Sequence, residues 1–287
     1  MGRAGLACGV VSSCAVALLA CGGDDGGSQL ATASNAAATS TTSGSSAGGS
    51  GGTGSTSSSP TSTSSGGGFN PAGSGGGGGG RECDNMLVGV IRDFNQSNPD
   101  FEGELGVDPG IVASDLGADD KPVYAGPTPT TSGQAAFDQW YRDVPGVNQT
   151  IPLSVPLTEL SPGIFTFDDS AFFPIDDQGF GNEGHPHNYH FTYEIHAEFV
   201  YEGGEVFTFT GDDDLFTFIN GKLAIDLGGV HGPLSASIDL DANAQELGIE
   251  IGNTYPLSFF FAERHTVESN FRIDTTISCF TEVPTPD

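Results

Sequence analysis

Residues 22–80 contain no aromatic residue except Phe69 and no charge except Asp24 and Asp25. Gly, Ser, Thr and Ala supply almost everything else there, so the stretch has nothing from which to build a core and reads as a disordered tether. With 59 residues its root-mean-square reach is about 40 Å, enough to lift a folded domain clear of a crowded surface. Folding is thereby confined to residues 81–287, a length that suits one substantial domain. This part carries seven basic and 35 acidic groups, within a whole-chain formal charge of -29. Such a balance argues against nucleic acid as a partner, because phosphate backbones are held through Lys and Arg.

Ahead of the tether, residues 1–20 hold one basic residue, Arg3, and a run of small and apolar residues that ends in Leu18-Leu19-Ala20-Cys21. Its length and flanks fit an export signal rather than a membrane-spanning helix. The last four residues resemble the lipobox of bacterial lipoproteins. That resemblance implies a lipoprotein signal peptide over 1–20, lipidation of Cys21, and a bacterial cell-envelope protein anchored to the membrane through lipid and exposed at the surface. A secretory signal that happens to contain Cys is the alternative. With Cys8 and Cys14 removed and Cys21 lipidated, only Cys83 and Cys279 remain. An even pair in an exported chain reads as a disulfide, against the alternative of two buried thiols.

From residue 84 onward, short alternating stretches separated by turn residues predict an all-β fold, a sandwich or barrel, with one minor helix. Met86–Phe94 reads as the first strand and Gly133–Arg142 as the helix, with Phe137, Trp140 and Tyr141 on one stripe. The Pro-rich residues 144–164 read as an extended edge. In Phe191–Phe199 the aromatic and aliphatic residues alternate with Thr192, Glu194, His196 and Glu198, predicting one apolar and one polar face. Val206–Thr210, Leu215–Ile219 and Lys222–Leu227 read as further strands, the last two joined by an Asn220-Gly221 hairpin turn. Tyr255–Ala262 and Phe271–Ser278 are expected to pair around the loop Glu263–Asn270, the second returning to the first strand.

Gly211-Asp212-Asp213-Asp214 places three carboxylates on one tight loop. Like charges this close favour either protonation or a hard cation with oxygen ligands, of which Ca²⁺ is the natural choice; a solvated turn is the alternative. His185, His187, His190 and His196 invite a transition-metal reading. Along a strand, however, His190 and His196 would stand about 20 Å apart, so these histidines read as structural or surface residues. The Asp pairs at 119–120, 168–169 and 176–177 read as solvated loops, the last as a second Ca²⁺ candidate. A nucleophile elbow, a zinc-protease helix, a phosphate loop and a dinucleotide fingerprint are all missing from the sequence, which favours a non-enzymatic protein.

The segments FTFTGDDDLFTFINGKLAIDLGGVH (207–231) and FFFAERHTVESNFRIDTTI (259–277) resemble the fibro-slime domain, a branch of the anthrax protective-antigen domain superfamily. VIRDF (90–94), FDQWYRDVPGVN (137–148) and FFPIDDQGFGN (172–182) fit the same family. The resemblance implies a protective-antigen-like β-sandwich over 81–287 and, from the flocculin-type lectins of that superfamily, Ca²⁺-dependent binding of a glycan or polysaccharide. Two consecutive Asp and an Asn from a neighbouring loop hold the ion in those lectins. By position this implies Asp212, Asp213 and Asn270 as metal ligands. Asp214 stands where many members have Gly, and its replacement is expected to matter least. Glycan contacts are expected from Asp212, Asp213, Asp214, His231, Glu263, His265 and Asn270, with the acids facing outward from rigid strands. The expectation is thus a lipid-anchored, adhesin-like carbohydrate-binding protein. Its rival is a structural component of an extracellular matrix or slime that binds protein partners without a sugar site.

Overall fold

The computed structural model describes Cys83 and residues 85–285. The expected signal peptide, the tether and Cys21 lie outside the described residues. In chain order the strands are β1 (Met86–Phe94), β2 (Gly106–Val107), β3 (Asn148–Pro156), β4 (Thr158–Ser161), β5 (Ile164–Asp169), β6 (Phe191–Val200), β7 (Val206–Gly211), β8 (Asp214–Ile219), β9 (Lys222–Leu227), β10 (Gly229–Val230), β11 (Leu234–Asp239), β12 (Thr254–Glu263), β13 (Phe271–Thr275) and β14 (Thr281–Glu282). Helix α1 (Gln134–Phe137) precedes β3 and α2 (Leu240–Leu247) follows β11. One sheet runs β3-β1-β6-β12-β8-β9 with β14 added to β6; a second runs β11-β7-β13-β5-β4; β2 and β10 form a small ribbon. The fold is a β-sandwich.

Alternation explains how the layers meet. Phe259 and Phe261 of β12 join Tyr193, Ile195 and Leu215 of their own sheet, and Phe207, Phe209, Phe271 and Ile273 of the other, in the inter-sheet core. The intervening Phe260 and Ala262 point to the opposite face, where Phe216 and Phe218 meet Ile111, Val112, Phe137, Trp140 and Tyr141. The larger sheet is therefore covered on both sides. The expected polar face of β6 is therefore enclosed: Thr192, Glu194 and His196 are buried there. Glu194 sits between Arg92 (2.6 Å), Lys121 (2.5 Å) and His196 (2.6 Å), a cluster that satisfies charges an apolar environment would otherwise expel.

Strand β1 has the predicted bounds, and Asn220 (φ 52°) and Gly221 (φ 72°) form the predicted hairpin turn between β8 and β9. Edge strand β3 accommodates Pro152 and Pro156, whose missing N–H groups a central strand would not tolerate. The helix is shorter than its apolar stripe suggests: α1 ends at Phe137, and Trp140 and Tyr141 reach the same apolar cluster from the turn beyond it. The pairing of the last long strands is also different. β12 pairs with β6 and β8, whereas β13 pairs with β5 and β7, so the two stand in different sheets. β13 does not return to β1; the segment after it carries Cys279 to Cys83, where the expected disulfide is formed.

Candidate functional site

Asp212 and Asp213 lie in the turn between β7 and β8, at one end of the sandwich. Gly211 just before them must be Gly, because a Cβ there would stand 2.4 Å from the Asn270 carbonyl oxygen. That approach lets the Asp212 N–H donate to the Asn270 carbonyl while Asn270 donates its backbone N–H (2.9 Å) and side-chain amide (2.7 Å) to Asp212 Oδ2. Asp213 has φ 48°, a left-handed conformation that Asp tolerates better than most residues. Its two oxygens accept from the N–H groups of His231 (3.0 Å) and Arg264 (2.8 Å). Asp214 accepts from the Gly229 N–H (2.6 Å) and from Arg264 Nε (2.6 Å).

The three acids thus pin the turn to the segments 229–231 and 264–270, and none faces outward as expected: Asp212, Asp213 and Asp214 are 2%, 4% and 0% exposed. Asp214 is no minor occupant of a Gly position, since it balances the fully buried Arg264. That guanidinium also donates to the carbonyls of Asp100 and Thr130 and lies 4.6 Å from the Trp140 ring centre. Nothing in the sequence reading points to Arg264, although basic residues are scarce enough to be a signal. All six described Lys and Arg side chains have a carboxylate partner, and three of them, Arg92, Lys121 and Arg264, are buried.

Above this turn a cavity of about 310 Å³ opens, lined by Asp212, Asp213, His231, His265, Leu105 and Val267 among others. His231 and His265, named from the sequence as glycan contacts, line the cavity together with Asp212 and Asp213. Asp214 and Glu263 lie behind the cavity rather than in it, and Asn270 reaches it only through Asp212. The other histidines serve packing. His196 binds Glu194 and the Ser258 hydroxyl, His190 binds Glu102, and His187 stacks on Phe173 while it holds Asp176. Asp176 also accepts from the Asn188 N–H, while Asp119 pairs with Arg142 and Asp168 with Arg272.

Electrostatically the turn favours either protons or a cation. Burial pushes Asp213 up to about 7, against the opposing pull of Arg264 and with help from the Asp214 charge. Burial raises Asp212 and Asp214 as well. Glu263 is driven well above the usual carboxylate range by burial and then by the charges of Asp213 and Asp212. Asp212 Oδ1 is buried without a hydrogen-bond partner. Asp212 Oδ1 is therefore the carboxylate oxygen of the turn open to a hard cation, whereas both Asp213 oxygens accept N–H groups and Asn270 turns its amide NH2 toward Asp212. Among the described residues no three His, Cys, Asp or Glu side chains form a metal-holding group by themselves, so amide, carbonyl or ligand hydroxyl oxygens would complete the shell.

Residues 172–280 match the family model of the PA14 domain. That segment contains β6–β13 and with them both Asp-bearing and Asn-bearing loops. The chain is 43% identical over 201 residues to protein psiR of Dictyostelium discoideum, covering 63% of this chain and 20% of psiR. It is 41% identical over 212 residues to protein psiD of the same organism, covering 67% of this chain and 41% of psiD. The chain therefore spans between a fifth and two fifths of these relatives' lengths. Among solved structures it is similar to a PA14 sugar-binding domain from an RTX adhesin, at 9% identity, TM-score 0.34, with 67% of this chain and 89% of that one covered.

Proposed function

We propose that the protein is a carbohydrate-binding, adhesin-like module in which Ca²⁺ held by Asp212, Asp213 and Asn270 receives sugar hydroxyls in the cavity above. The observation that carries this reading is the buried, unpartnered Oδ1 of Asp212, a residue that lines an open pocket together with Asp213, His231 and His265. Ca²⁺ takes roughly six to eight oxygens, more than this loop supplies, which leaves coordination positions for a vicinal diol. The PA14 match over 172–280 supports the same assignment, and within it the fibro-slime branch is our reading of the motifs. His231 and His265 line the pocket as binding residues, and the role is binding rather than catalysis. Lipidation of Cys21, with the protein held at a bacterial envelope, belongs to the same reading and rests on the Leu18-Leu19-Ala20-Cys21 sequence.

A glycan array probed with the full-length protein, with and without chelator, tests it. Glycan signals lost in chelator and in Asp212→Ser are expected. Protein-partner capture that ignores chelator, with no glycan bound, would put the matrix-protein role in its place.

A further inference from the structure

Among the described residues, two of the most exposed aliphatic side chains line one opening, and a third follows close by in sequence. Leu105 is 65%, Val107 62% and Val267 76% exposed. Leu105 and Val267 line the cavity over Asp212 and Asp213, and Val107, two residues beyond Leu105, pairs with Gly229 in the β2–β10 ribbon next to Val230 of the same lining. Gly229 permits that ribbon, because a Cβ on it would stand 2.2 Å from the Gly106 carbonyl oxygen.

Val267 is held at φ 155°, the one positive φ of a β-branched residue among those described. Such a backbone persists only where the surroundings impose it, and here they do. On one side Glu102 accepts the Thr266 N–H (2.8 Å) and donates its own N–H to the Arg264 carbonyl (2.8 Å). On the other, Asn270 is clasped to Asp212. Between these two anchors the loop thrusts Val267 outward at the rim. A strained apolar residue presented to solvent has no role in the core, so its role is sought in the pocket it borders.

Among the described residues no Phe, Tyr or Trp side chain lines the cavity. The flat face of a pyranose therefore finds no such ring to stack on, and what the walls offer is room for a compact aliphatic group above a polar floor. We propose that the pocket selects sugars carrying a methyl-terminated substituent beside the diol, a 6-deoxyhexose or an N-acetylated hexose, with Leu105 and Val267 as the specificity-determining contacts. This inference rests on the reading that the pocket binds sugar.

The test is competition for glycan-coated beads by the full-length protein in Ca²⁺, using L-fucose against L-galactose, L-rhamnose against L-mannose, and N-acetylglucosamine against glucose. In each pair only the first sugar offers the methyl. A three- to fivefold preference for the methyl sugar is expected in at least one pair, about what burial of one methyl contributes, and the pair that shows it identifies the source. The preference should vanish in Leu105→Ser and in Val267→Ser, whose melting temperatures should match the wild type because both positions are exposed. Val267→Gly, which suits the backbone there, should lose the preference equally. Glycan binding with no preference in any pair, or a preference that survives these changes, overturns this inference alone. Absence of any glycan binding by the wild type overturns the sugar reading beneath it and the inference with it.

Discussion

Replacing Asp214 by Ala should destabilise the fold by about 3–5 kcal/mol, the usual cost of leaving a buried charge without its partner. The structure supports the upper part of that range. Both side chains of the Asp214–Arg264 pair are 0% exposed at 2.6 Å, so water cannot replace the lost carboxylate. The same substitution strips the buried Gly229 N–H of its acceptor, a further cost of about 1–3 kcal/mol if no water enters. Against a total stability of about 5–15 kcal/mol, the variant would be marginal. For a domain of this size each kcal/mol lowers Tm by about 2–4 °C, so the ion pair alone gives a fall of roughly 6–20 °C. The assay is urea and thermal unfolding of both proteins in chelator, so that no part of the change comes from bound metal. A companion variant, Asp214→Leu with Arg264→Met, removes both charges and should recover much of the loss. A change below about 1 kcal/mol in Asp214→Ala would refute the argument that this pair is structural.

Ca²⁺ at about 100 times its dissociation constant should raise stability by roughly 2.7 kcal/mol, and Asp212→Ser should abolish the effect; calorimetric scans that show no Ca²⁺-dependent shift in the wild type count against the site. Replacing Cys83 and Cys279 by Ala opens a bridge spanning 196 residues and should cost up to about 5 kcal/mol on a chain-entropy basis, seen as a lower urea midpoint. Burial pushes Asp93 up to about 6, against hydrogen bonds from Phe180 and Asn188. The native state therefore holds a proton that the unfolded chain releases near 4, so stability falls as pH rises through that window to about 6. Asp93→Asn should lessen the slope of urea midpoints between about pH 4 and 6, and an unchanged slope would exonerate Asp93.

Strand positions are legible in the sequence because period-two patterns and turn residues are local. β1, the β8–β9 hairpin and the apolar register of β6 all arise from residues that are neighbours in sequence. Partner choice is not local, which is why β12 and β13 read as a hairpin although the loop between them crosses from one sheet to the other. The polar residues of β6 escape a sequence reading for a related reason. Alternation identifies two faces, but it does not tell that residues 108–142 fold over the second one and supply Lys121 to Glu194. At the site, the Asp turn and the two flanking histidines are visible as motifs. Arg264 is not, since its function depends on Asp214, Asp100 and Thr130 arriving from three separate segments.

The Cys83–Cys279 bridge has a mechanical consequence. Cys83 lies just ahead of β1 in the larger sheet, and Cys279 comes after β13 of the smaller one. A pull on the chain ahead of Cys83 is therefore not delivered to β1 alone, whose hydrogen bonds to β3 and β6 could otherwise fail in sequence. The covalent link passes part of the load at the point of entry to Cys279, which stands between β13 of the smaller sheet and β14 on β6 of the larger one, and tension passing through to the residues beyond Cys279 travels along two sulfur atoms rather than through β1. Under oxidising conditions, the pocket at Asp212 and Asp213 can keep its shape while the chain that carries it is under tension.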